Sequence, residues 1–270
     1  MTRSDIENLA RKQLQLLDQA GLADPPSTRI PGFSLKHAYE VAAQIVRLRR
    51  ERGERTVGRK IGFTNQATWT QHGLNQPIWS HVYGGTVRFS RNGNVSHPLK
   101  GTALPRIEPE IVFGLRAPAA GRDECSWLDS VDWLALGFEL VDCHYPDWRF
   151  TPADGVVDFG LHATLIVGER IPVRDLVPVN LAEQLRTFRA KLLCDGRPQE
   201  EGSGSDVLGS PLRALDYLAR EIGQQAAEPL APGEVVTTGT LTAAPFVRPG
   251  QIWKAEVMGI DLPALTMELT

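Results

Sequence analysis

The chain has 270 residues, of which 42% are apolar and 23% charged, and its formal net charge of −3 at pH 7 is ordinary for a globular protein. Both signs of charge are mixed along the sequence, the first residues lack the apolar core of a secretory signal, and no apolar run is long enough to cross a bilayer. These features argue against nucleic acid as a partner, against secretion and against a membrane span. The three cysteines are widely spaced and form no metal-binding pair, so we expect a cytoplasmic protein without structural zinc.

The first predicted element is an amphipathic helix over residues 4–20. Its apolar side chains recur at helical spacing, Ser4 and Glu7 have the spacing of a capping box, and Gly21 is a typical helix stop. Residues 24–27 contain two consecutive prolines and are expected to form a loop.

A second helix is predicted from Leu35 to Arg52, with Ser34 as its N-cap and Gly53 at its end. We expect these two helices to form an N-terminal helical layer, residues 1–56. The layer packs, in this prediction, on a β-rich catalytic domain of residues 57–270, and the two parts form one compact unit.

Short β-like runs alternate with Gly- and Pro-rich loops after residue 56, interrupted by one helix predicted from Pro211 to Ile222. There is no βαβ alternation, no GxGxxG sequence after a strand and no P-loop, so a nucleotide-binding fold is disfavoured. We therefore predict an α+β fold with a mixed, rolled β-core and helices outside. The predicted strands are Val57–Phe63, Val82–Phe89, Glu110–Leu115, Leu136–Val141, Ala163–Val167, Arg189–Cys194, Val235–Thr240 and Ile252–Met258.

The segment from Ile107 to Phe113 carries two carboxylates within a strand-like pattern of period two. Residues two apart on a strand share a face, so Glu108 and Glu110 project side by side. Two carboxylates this close repel each other unless they share a proton or a cation. Pro109 between them cannot donate to a ladder, which predicts a strand edge or a bulge. The alternative is a pair of solvated glutamates on an exposed strand face.

A third carboxylate, Glu139, lies inside the apolar run from Trp133 to Val141. A carboxylate in a buried segment is costly unless it is paired or bound to a metal. Three oxygen donors without a histidine or cysteine cluster suit Mg²⁺, with Mn²⁺ as the alternative. A buried salt bridge from Glu139 to Arg106 or Arg149 is the structural alternative.

Several spaced motifs resemble the 2-keto-4-pentenoate hydratase / 4-oxalocrotonate decarboxylase family, within the wider fumarylacetoacetate hydrolase-like superfamily. They occur in the family's order and cover nearly the whole chain. The resemblance implies a β-core of the fumarylacetoacetate hydrolase type with a catalytic pocket at its mouth. The matching segments are residues 58–64 (GRKIGFT), 76–77 (QP), 107–111 (IEPEI), 139–142 (ELVD), 147–148 (DW), 204–209 (GSDVLG) and 238–242 (TGTLT).

The resemblance also implies roles for two further motifs. It places Lys60 in the substrate pocket as an anchor or acid/base group, whereas a lysine at this position is otherwise most often a surface side chain. Hydroxyl and backbone N–H groups of Thr240, Leu241 and Thr242 are implied to line the site and hold a substrate carboxylate. The alternative for this motif is a plain β-turn.

The sequence departs from the family after Gln76-Pro77, where Ile78 takes the place of an aspartate and Trp79 follows. This change makes the pocket more apolar and weakens a specific prediction of hydration of 2-hydroxypenta-2,4-dienoate. We expect Ile78 and Trp79 to contact a larger apolar substrate tail. The competing interpretation is that Ile78 faces the core and Asp158 substitutes for the missing acid.

Other candidate groups follow Glu139. Asp142 either orients a metal-bound water or ligand, or caps a turn. His144 stands where relatives have arginine, and Phe159 stands where they have asparagine. A lone histidine is usually structural, so His162 is a candidate proton carrier only if it faces the metal.

These observations predict a divalent-metal-dependent lyase that acts on an enolisable 2-oxo acid through a metal-stabilised enolate, as a hydratase or a decarboxylase. The alternatives are a C–C bond hydrolase of the fumarylacetoacetate type, with His144 or His162 activating water, and a non-catalytic companion subunit. The partners implied are a small 2-oxo acid and other copies of the chain in a homo-oligomer, or a complex with a related hydratase or decarboxylase.

Overall fold

Two mixed sheets form the centre of the protein. The structure is a computed structural model, and it describes residues 1–66, 69, 76–117, 124–176, 180–225 and 227–270. The first sheet has the strand order β2-β1-β11-β5-β6-β7-β3, with β8 paired to β6, and the second has the order β10-β9-β12-β13-β4. This mixed architecture confirms the predicted α+β class. The described strands are β1 Thr56–Gly62, β2 Ile78–Tyr83, β3 Val87–Phe89, β4 Asn94–His97, β5 Arg106–Leu115, β6 Val131–Val141, β7 His162–Val167, β8 Ile171–Pro172, β9 Arg189–Cys194, β10 Arg197–Ser203, β11 Val235–Thr237, β12 Ile252–Met258 and β13 Leu265–Leu269.

The prediction of one strand over Val82–Phe89 is wrong. The chain forms β2 and β3 there, separated by a tight turn over Gly84–Thr86, and the two strands pair with different neighbours. Two consecutive glycines permit the change of direction. β10 was missed because its residues Arg197–Ser203 are mostly exposed and carry no apolar alternation.

Six helices surround the sheets in the described part of the chain: α1 Arg3–Gln19, α2 Leu35–Glu51, α3 Glu124–Leu128, α4 Pro152–Val157, α5 Leu181–Thr187 and α6 Pro211–Gln224. Ser34 caps α2 as predicted, but the cap predicted for α1 is wrong. Thr2 and Asp5 form the capping box, since the helix begins before Ser4. Glu7 instead pairs with Arg11 one turn on.

The N-terminal helices pack on α4 as well as on each other. Leu14, Val41 and Val156 belong to one buried cluster that α1, α2 and α4 share. Since α4 comes from the segment predicted as the catalytic domain, the helical layer is completed by a later part of the chain. The division at residues 56 and 57 stays a prediction.

The structure also describes two of the cysteines and the length of each helix. Cys143 and Cys194 are buried free thiols, and the side chain of Cys125 lies outside the described part. No helix among the described residues is long and apolar enough to cross a membrane. A cytoplasmic location stays a prediction.

β5 lies inside the first sheet, but β11 ends before it reaches Pro109, so the predicted edge exists only locally and the predicted bulge is not at Pro109. Pro109 pairs with Phe138 of β6, and the register shift of this pair of strands lies farther on, after Gly114. On its other side, β11 pairs only with residues 112–114 of β5. Beyond that point the N–H of Leu241 donates to the carbonyl of Pro109 at 2.9 Å. The proline needs no ladder donor because the neighbouring strand has ended.

Candidate active site

Three carboxylates converge on one face of the first sheet. Glu108 and Glu139 are directly paired in the register of β5 and β6, and Glu110 lies two residues farther along β5. One oxygen from each glutamate lies within 4.8 Å of the other two. Glu110 and Glu139 are fully buried, so the alternative of solvated glutamates is excluded.

The electrostatics of this cluster favour a bound cation. Burial raises the pKa of Glu108 to about 7. Burial and the two neighbouring carboxylates also raise the pKa of Glu110. Oε1 of Glu110 and Oε2 of Glu139 are buried without a hydrogen-bond partner among the described residues. Buried oxygen atoms with unused lone pairs and mutual repulsion fit a hard divalent ion such as Mg²⁺ or Mn²⁺.

A glycine after β11 holds Glu110 in place. The N–H of Gly239 donates to Oε2 of Glu110 at 2.8 Å. Gly239 has φ +96°, and a Cβ there would clash with the hydroxyl of Thr64. Only glycine combines this backbone conformation with so close an approach. The sequence motif contained Gly239, but its role as a donor to Glu110 was not predicted.

The rest of this loop is bonded within itself and to β5. Thr240 Oγ1 donates to the carbonyl of Thr242 at 2.9 Å, and Thr242 Oγ1 donates to the carbonyl of Ala243 at 2.8 Å. Leu241 is bonded through its N–H to β5. These donors are used to shape the loop, and a substrate-binding role for Thr240, Leu241 and Thr242 stays a prediction.

Lys60 points into the cluster. Its Nζ lies 3.4 Å from Oε2 of Glu139 and donates to the carbonyl of Gly160 at 2.9 Å. The side chain is only 3% exposed, so the alternative of a surface lysine is excluded. Burial by itself lowers the pKa of Lys60, but Glu139 and the other two glutamates outweigh it, and the net shift is upward. The ammonium therefore stays charged at neutral pH.

His162 faces Glu139, one of the proposed metal ligands, and its role as a proton carrier stays a prediction. Its Nδ1 lies 2.7 Å from Oε1 of Glu139, and its Nε2 lies 2.8 Å from Oγ1 of Thr86. Although burial raises the pKa of Glu139, Lys60 and this hydrogen bond lower it, and the net shift is downward. Among the described residues Glu139 forms no salt bridge with Arg106 or Arg149, and its ionic partners are Lys60 and His162 instead.

The carboxylates of Asp142 and Asp158 bond to backbone N–H groups and to the ring of His144, and not to the acidic cluster. Both oxygens of Asp142 accept backbone N–H groups, from Ala103 at 2.8 Å and from Leu104 at 2.6 Å. Asp158 accepts the N–H of His144 at 2.9 Å and lies 2.7 Å from its ring Nδ1. These contacts fix the loops before β5 and after β6, and neither acid joins the three glutamates.

Ile78 and Trp79 lie on opposite faces of β2. Ile78 is 1% exposed and packs in the cluster of the N-terminal helices. Trp79 stacks on Tyr39 of α2 with 5.4 Å between ring centroids. Contact of these side chains with a substrate tail stays a prediction.

A cavity of about 640 Å³ lies beside Trp79, between α2, β2 and the end of α6. Its walls include Tyr39, His81 and Phe159, and neither Lys60 nor any of the three glutamates lines it. Burial lowers the pKa of His81 to about 3, so this histidine is neutral. The cavity is separate from the acidic cluster.

Arg106 is a side chain of the site whose role was not predicted. It precedes Glu108 by two residues on β5 and therefore shares the face of the glutamates. Its guanidinium carbon lies 4.3 Å from the ring centroid of Trp148 and 4.1 Å from that of Phe246. The two-residue spacing was visible in the sequence, but the aromatic neighbours were not.

Comparisons with known proteins identify the family of the chain. The family described as "Fumarylacetoacetate (FAA) hydrolase C-terminal" matches residues 55–268. A 4-oxalocrotonate decarboxylase from Pseudomonas sp is 31% identical over 251 residues, covering 91% of this chain and 93% of that protein. A 2-hydroxyhexa-2,4-dienoate hydratase from Comamonas testosteroni is 28% identical over 246 residues, covering 90% of this chain and 89% of that protein.

One solved structure is similar over the full length. It is a 4-oxalocrotonate decarboxylase from Pseudomonas putida G7, complexed with magnesium and adipate. The similarity has a TM-score of 0.89 at 25% sequence identity and covers 100% of this chain and 99% of that one. The whole chain, including the N-terminal helices, therefore has a counterpart in that decarboxylase.

Proposed function

The chain belongs to the fumarylacetoacetate hydrolase family, and from this premise we propose that it is a divalent-metal-dependent lyase that decarboxylates an enolisable 2-oxo acid. The observation that carries the proposal is the buried cluster of Glu108, Glu110 and Glu139 with Lys60 against it. Relatives over most of the chain are named as decarboxylases and hydratases of unsaturated 2-oxo or 2-hydroxy acids, which supports a lyase.

The three glutamates are the proposed ligands of Mg²⁺, with Mn²⁺ as the alternative. When bound, the ion supplies a Lewis acid that stabilises negative charge developing on the 2-oxo oxygen of the substrate. His162 and Gly239 each hold one carboxylate of the set, so the ligands are oriented before the ion binds.

Lys60 is the proposed catalytic residue of the chain itself. Its ammonium is charged and buried beside Glu139, so it presents a positive charge and a proton to a substrate bound at the three glutamates. Because its pKa is raised, Lys60 is suited to donate a proton or to stabilise a developing negative charge, and it is unsuited to act as a general base at neutral pH.

Decarboxylation is favoured over hydration because hydration needs a group that activates water. Asp142 and Asp158 are occupied by backbone and histidine contacts, Ile78 carries no acid, and both ring nitrogens of His162 are bonded. Decarboxylation needs no activated water. The C–C bond to the departing carboxylate breaks, its electron pair moves toward the 2-oxo oxygen, and CO₂ leaves. The product then takes up one proton.

The same contacts weigh against the two other candidate functions. A C–C hydrolase needs a base for water beside the glutamates. Both ring nitrogens of His162 are bonded, and His144 forms its hydrogen bonds and ion pairs with Asp158 and Asp142, and none with Lys60 or the three glutamates among the described residues. A non-catalytic companion subunit has no need of a complete acidic cluster with a buried lysine. The intact Glu108, Glu110, Glu139 and Lys60 therefore favour an enzyme.

A direct assay tests this function. The purified protein is incubated with Mg²⁺ and either 2-oxohex-3-enedioate or 2-hydroxypenta-2,4-dienoate, and CO₂ release and substrate absorbance are followed. We expect CO₂ from the first acid, loss of activity with EDTA and its recovery with Mg²⁺ or Mn²⁺. Turnover that resists EDTA, or hydration of the second acid without any release of CO₂ from the first, contradicts the proposal.

We further propose that the protein acts as a homo-oligomer, or in a complex with a related hydratase or decarboxylase, in the cytoplasm. The support is the family resemblance of the sequence motifs. Light scattering of the purified chain, alone and mixed with a candidate partner enzyme, measures the assembly directly. A monomeric mass in both samples contradicts the proposed assembly.

A further inference from the structure

The guanidinium of Arg106 lies against two aromatic rings, those of Trp148 and Phe246, at distances typical of cation–π contacts. The two rings are perpendicular to each other, with 6.3 Å between their centroids, and contact adjoining sides of the guanidinium. The indole N–H of Trp148 donates to the carbonyl of Leu104 at 3.0 Å, which fixes that ring. The orientation of the guanidinium is therefore set before any ligand binds.

This guanidinium has donor capacity that the protein leaves unused. Nη1 donates to the carbonyl of Ala244 at 3.3 Å, but Nε has no partner and Nη2 donates to none of the described residues. Among the described residues no carboxylate forms an ion pair with Arg106. Burial lowers the pKa of Arg106 and the charge of Glu108 opposes this shift, but the two groups form no ion pair, so the guanidinium keeps hydrogen-bonding capacity for a ligand. Phe246 is 52% exposed, so this end of the site is open to solvent.

The position of Arg106 along β5 sets its distance from the glutamates. Its Cα lies two residues, about 7 Å, from that of Glu108, and the side chains share one face of the strand. Glu110 lies farther along in the same direction, so Arg106 is at one end of a line of charged groups. The acidic cluster takes the 2-oxo end of a substrate in the proposed function, and Arg106 faces what extends beyond it.

We propose that Arg106 binds the second carboxylate of a dicarboxylic 2-oxo acid and thereby selects dicarboxylates over monocarboxylates. The inference rests on the proposed function, because it takes the 2-oxo end to be bound at the glutamates. A guanidinium with free, coplanar donors is suited to a carboxylate. The threonine loop after β11, which was the sequence-based candidate for this task, uses its hydroxyls internally.

The proposal has a kinetic consequence. The carboxylate at Arg106 is the one that departs as neutral CO₂, so its attraction to the guanidinium weakens as the reaction proceeds. Arg106 therefore contributes to substrate binding more than to the transition state. Its loss should raise KM for the dicarboxylate without lowering kcat.

The test uses three ligands and does not depend on turnover. Binding of pyruvate, 2-oxohexanoate and 2-oxoadipate to the full chain in Mg²⁺ is measured by calorimetry; the last two have the same carbon chain and differ only in the second carboxylate. We expect the wild type to prefer 2-oxoadipate over 2-oxohexanoate by about ten-fold or more, as for a charge-assisted hydrogen bond. Arg106→Gln should bring the two affinities within about two-fold and leave that for pyruvate unchanged.

Arg116→Gln is the matched control, since Arg116 follows the far end of β5, is exposed and bonds the carbonyl of Asp129. The Arg116→Gln variant should keep the full preference for 2-oxoadipate over 2-oxohexanoate, and Arg106→Lys should retain part of that preference. If the wild type binds pyruvate and 2-oxohexanoate but shows no preference for 2-oxoadipate, this inference is wrong while the proposed function stands. Equal weakening of all three ligands by Arg106→Gln also overturns it, because the residue then supports the shape of the site. A wild type that binds none of the three overturns the proposed function as well.

Discussion

Nδ1 of His162 lies 2.7 Å from Oε1 of Glu139, so a histidine at the start of β7 orients a carboxylate near the end of β6. The ring is held from its other side by Thr86, whose hydroxyl lies 2.8 Å from Nε2. Glu139 thus presents one oxygen to His162 and keeps the other beside Lys60 for a cation. Such a partner limits the rotation of a metal-binding carboxylate.

We therefore expect His162→Ala to lower the affinity for Mg²⁺ or Mn²⁺ by about ten- to a hundred-fold, the usual cost of removing a partner of a metal ligand. Titration calorimetry on the purified variant measures it. His37→Ala is the control, because His37 lies on α2 away from the glutamates, where its ring contacts Ser34 and Phe33. An unchanged metal affinity in His162→Ala shows that the hydrogen bond does not position the ligand.

The raised pKa of Glu108 predicts that the unfolding free energy of the metal-free protein depends on pH. Burial raises its pKa from 4.5 to about 7, so between these values the folded state holds a proton that the unfolded state has lost. Stability from this group is therefore fully present below pH 4.5 and is lost as the pH rises to about 7, by a few kcal/mol at most. Denaturant unfolding of metal-free wild type and Glu108→Gln at several pH values should show a smaller fall in the variant, where the raised pKa of Glu110 still contributes.

Saturating Mg²⁺ should remove the same pH effect, because the cation replaces the proton as the charge that compensates the glutamates. Glu108→Gln should also lose most of its metal affinity while keeping the fold. Glu169→Gln, at an exposed position, is the control and should behave as the wild type. A wild type and a Glu108→Gln variant with parallel pH profiles would falsify the assignment of Glu108 to the cluster.

Gly239→Ala tests the glycine that holds Glu110. Its φ of +96° and the clash of a Cβ with Thr64 should together cost about 2 kcal/mol or more of unfolding free energy and weaken metal binding. Gly233→Ala is the matched control, since Gly233 has φ +86° but open space around its Cβ position. It should cost about 1–2 kcal/mol from the backbone conformation alone and leave metal affinity unchanged. Equal effects of the two variants on metal binding contradict the role of Gly239.

Lys60→Met separates catalysis from metal binding. Removing a positive charge next to Glu139 should leave Mg²⁺ affinity unchanged or higher, because one competing cation is gone. Turnover should fall by about a hundred-fold or more, the usual contribution of a positioned acid or charge. Metal titration and steady-state kinetics on the same preparation check both. A variant that loses metal while keeping its turnover per bound ion indicates that Lys60 only stabilises the cluster.

Strand periodicity was sufficient to place Glu108 and Glu110 on one face, because successive side chains of any strand alternate between its two faces. The apolar run around Glu139 was likewise sufficient to predict a buried carboxylate that needs a partner. The same local reasoning was only partly sufficient at Pro109, which lies at a local edge of an interior strand. A proline forbids a ladder hydrogen bond at its own nitrogen, but whether a donor is needed there depends on where the neighbouring strand ends.

The sequence by itself thus determined the class of fold, the acidic residues and the kind of ion that suits them, since these follow from local spacing, burial tendency and donor chemistry. Only the tertiary structure decided which groups meet. The register of β5 against β6 brings Glu108 to Glu139, and the loop after β11 brings the N–H of Gly239 to Glu110. The packing of distant segments likewise brings His162 to Glu139, and Arg106 to Trp148 and Phe246. Such pairings join segments far apart in the chain, and they are set by the lengths of loops and the packing of whole sheets, which no local pattern of residues encodes.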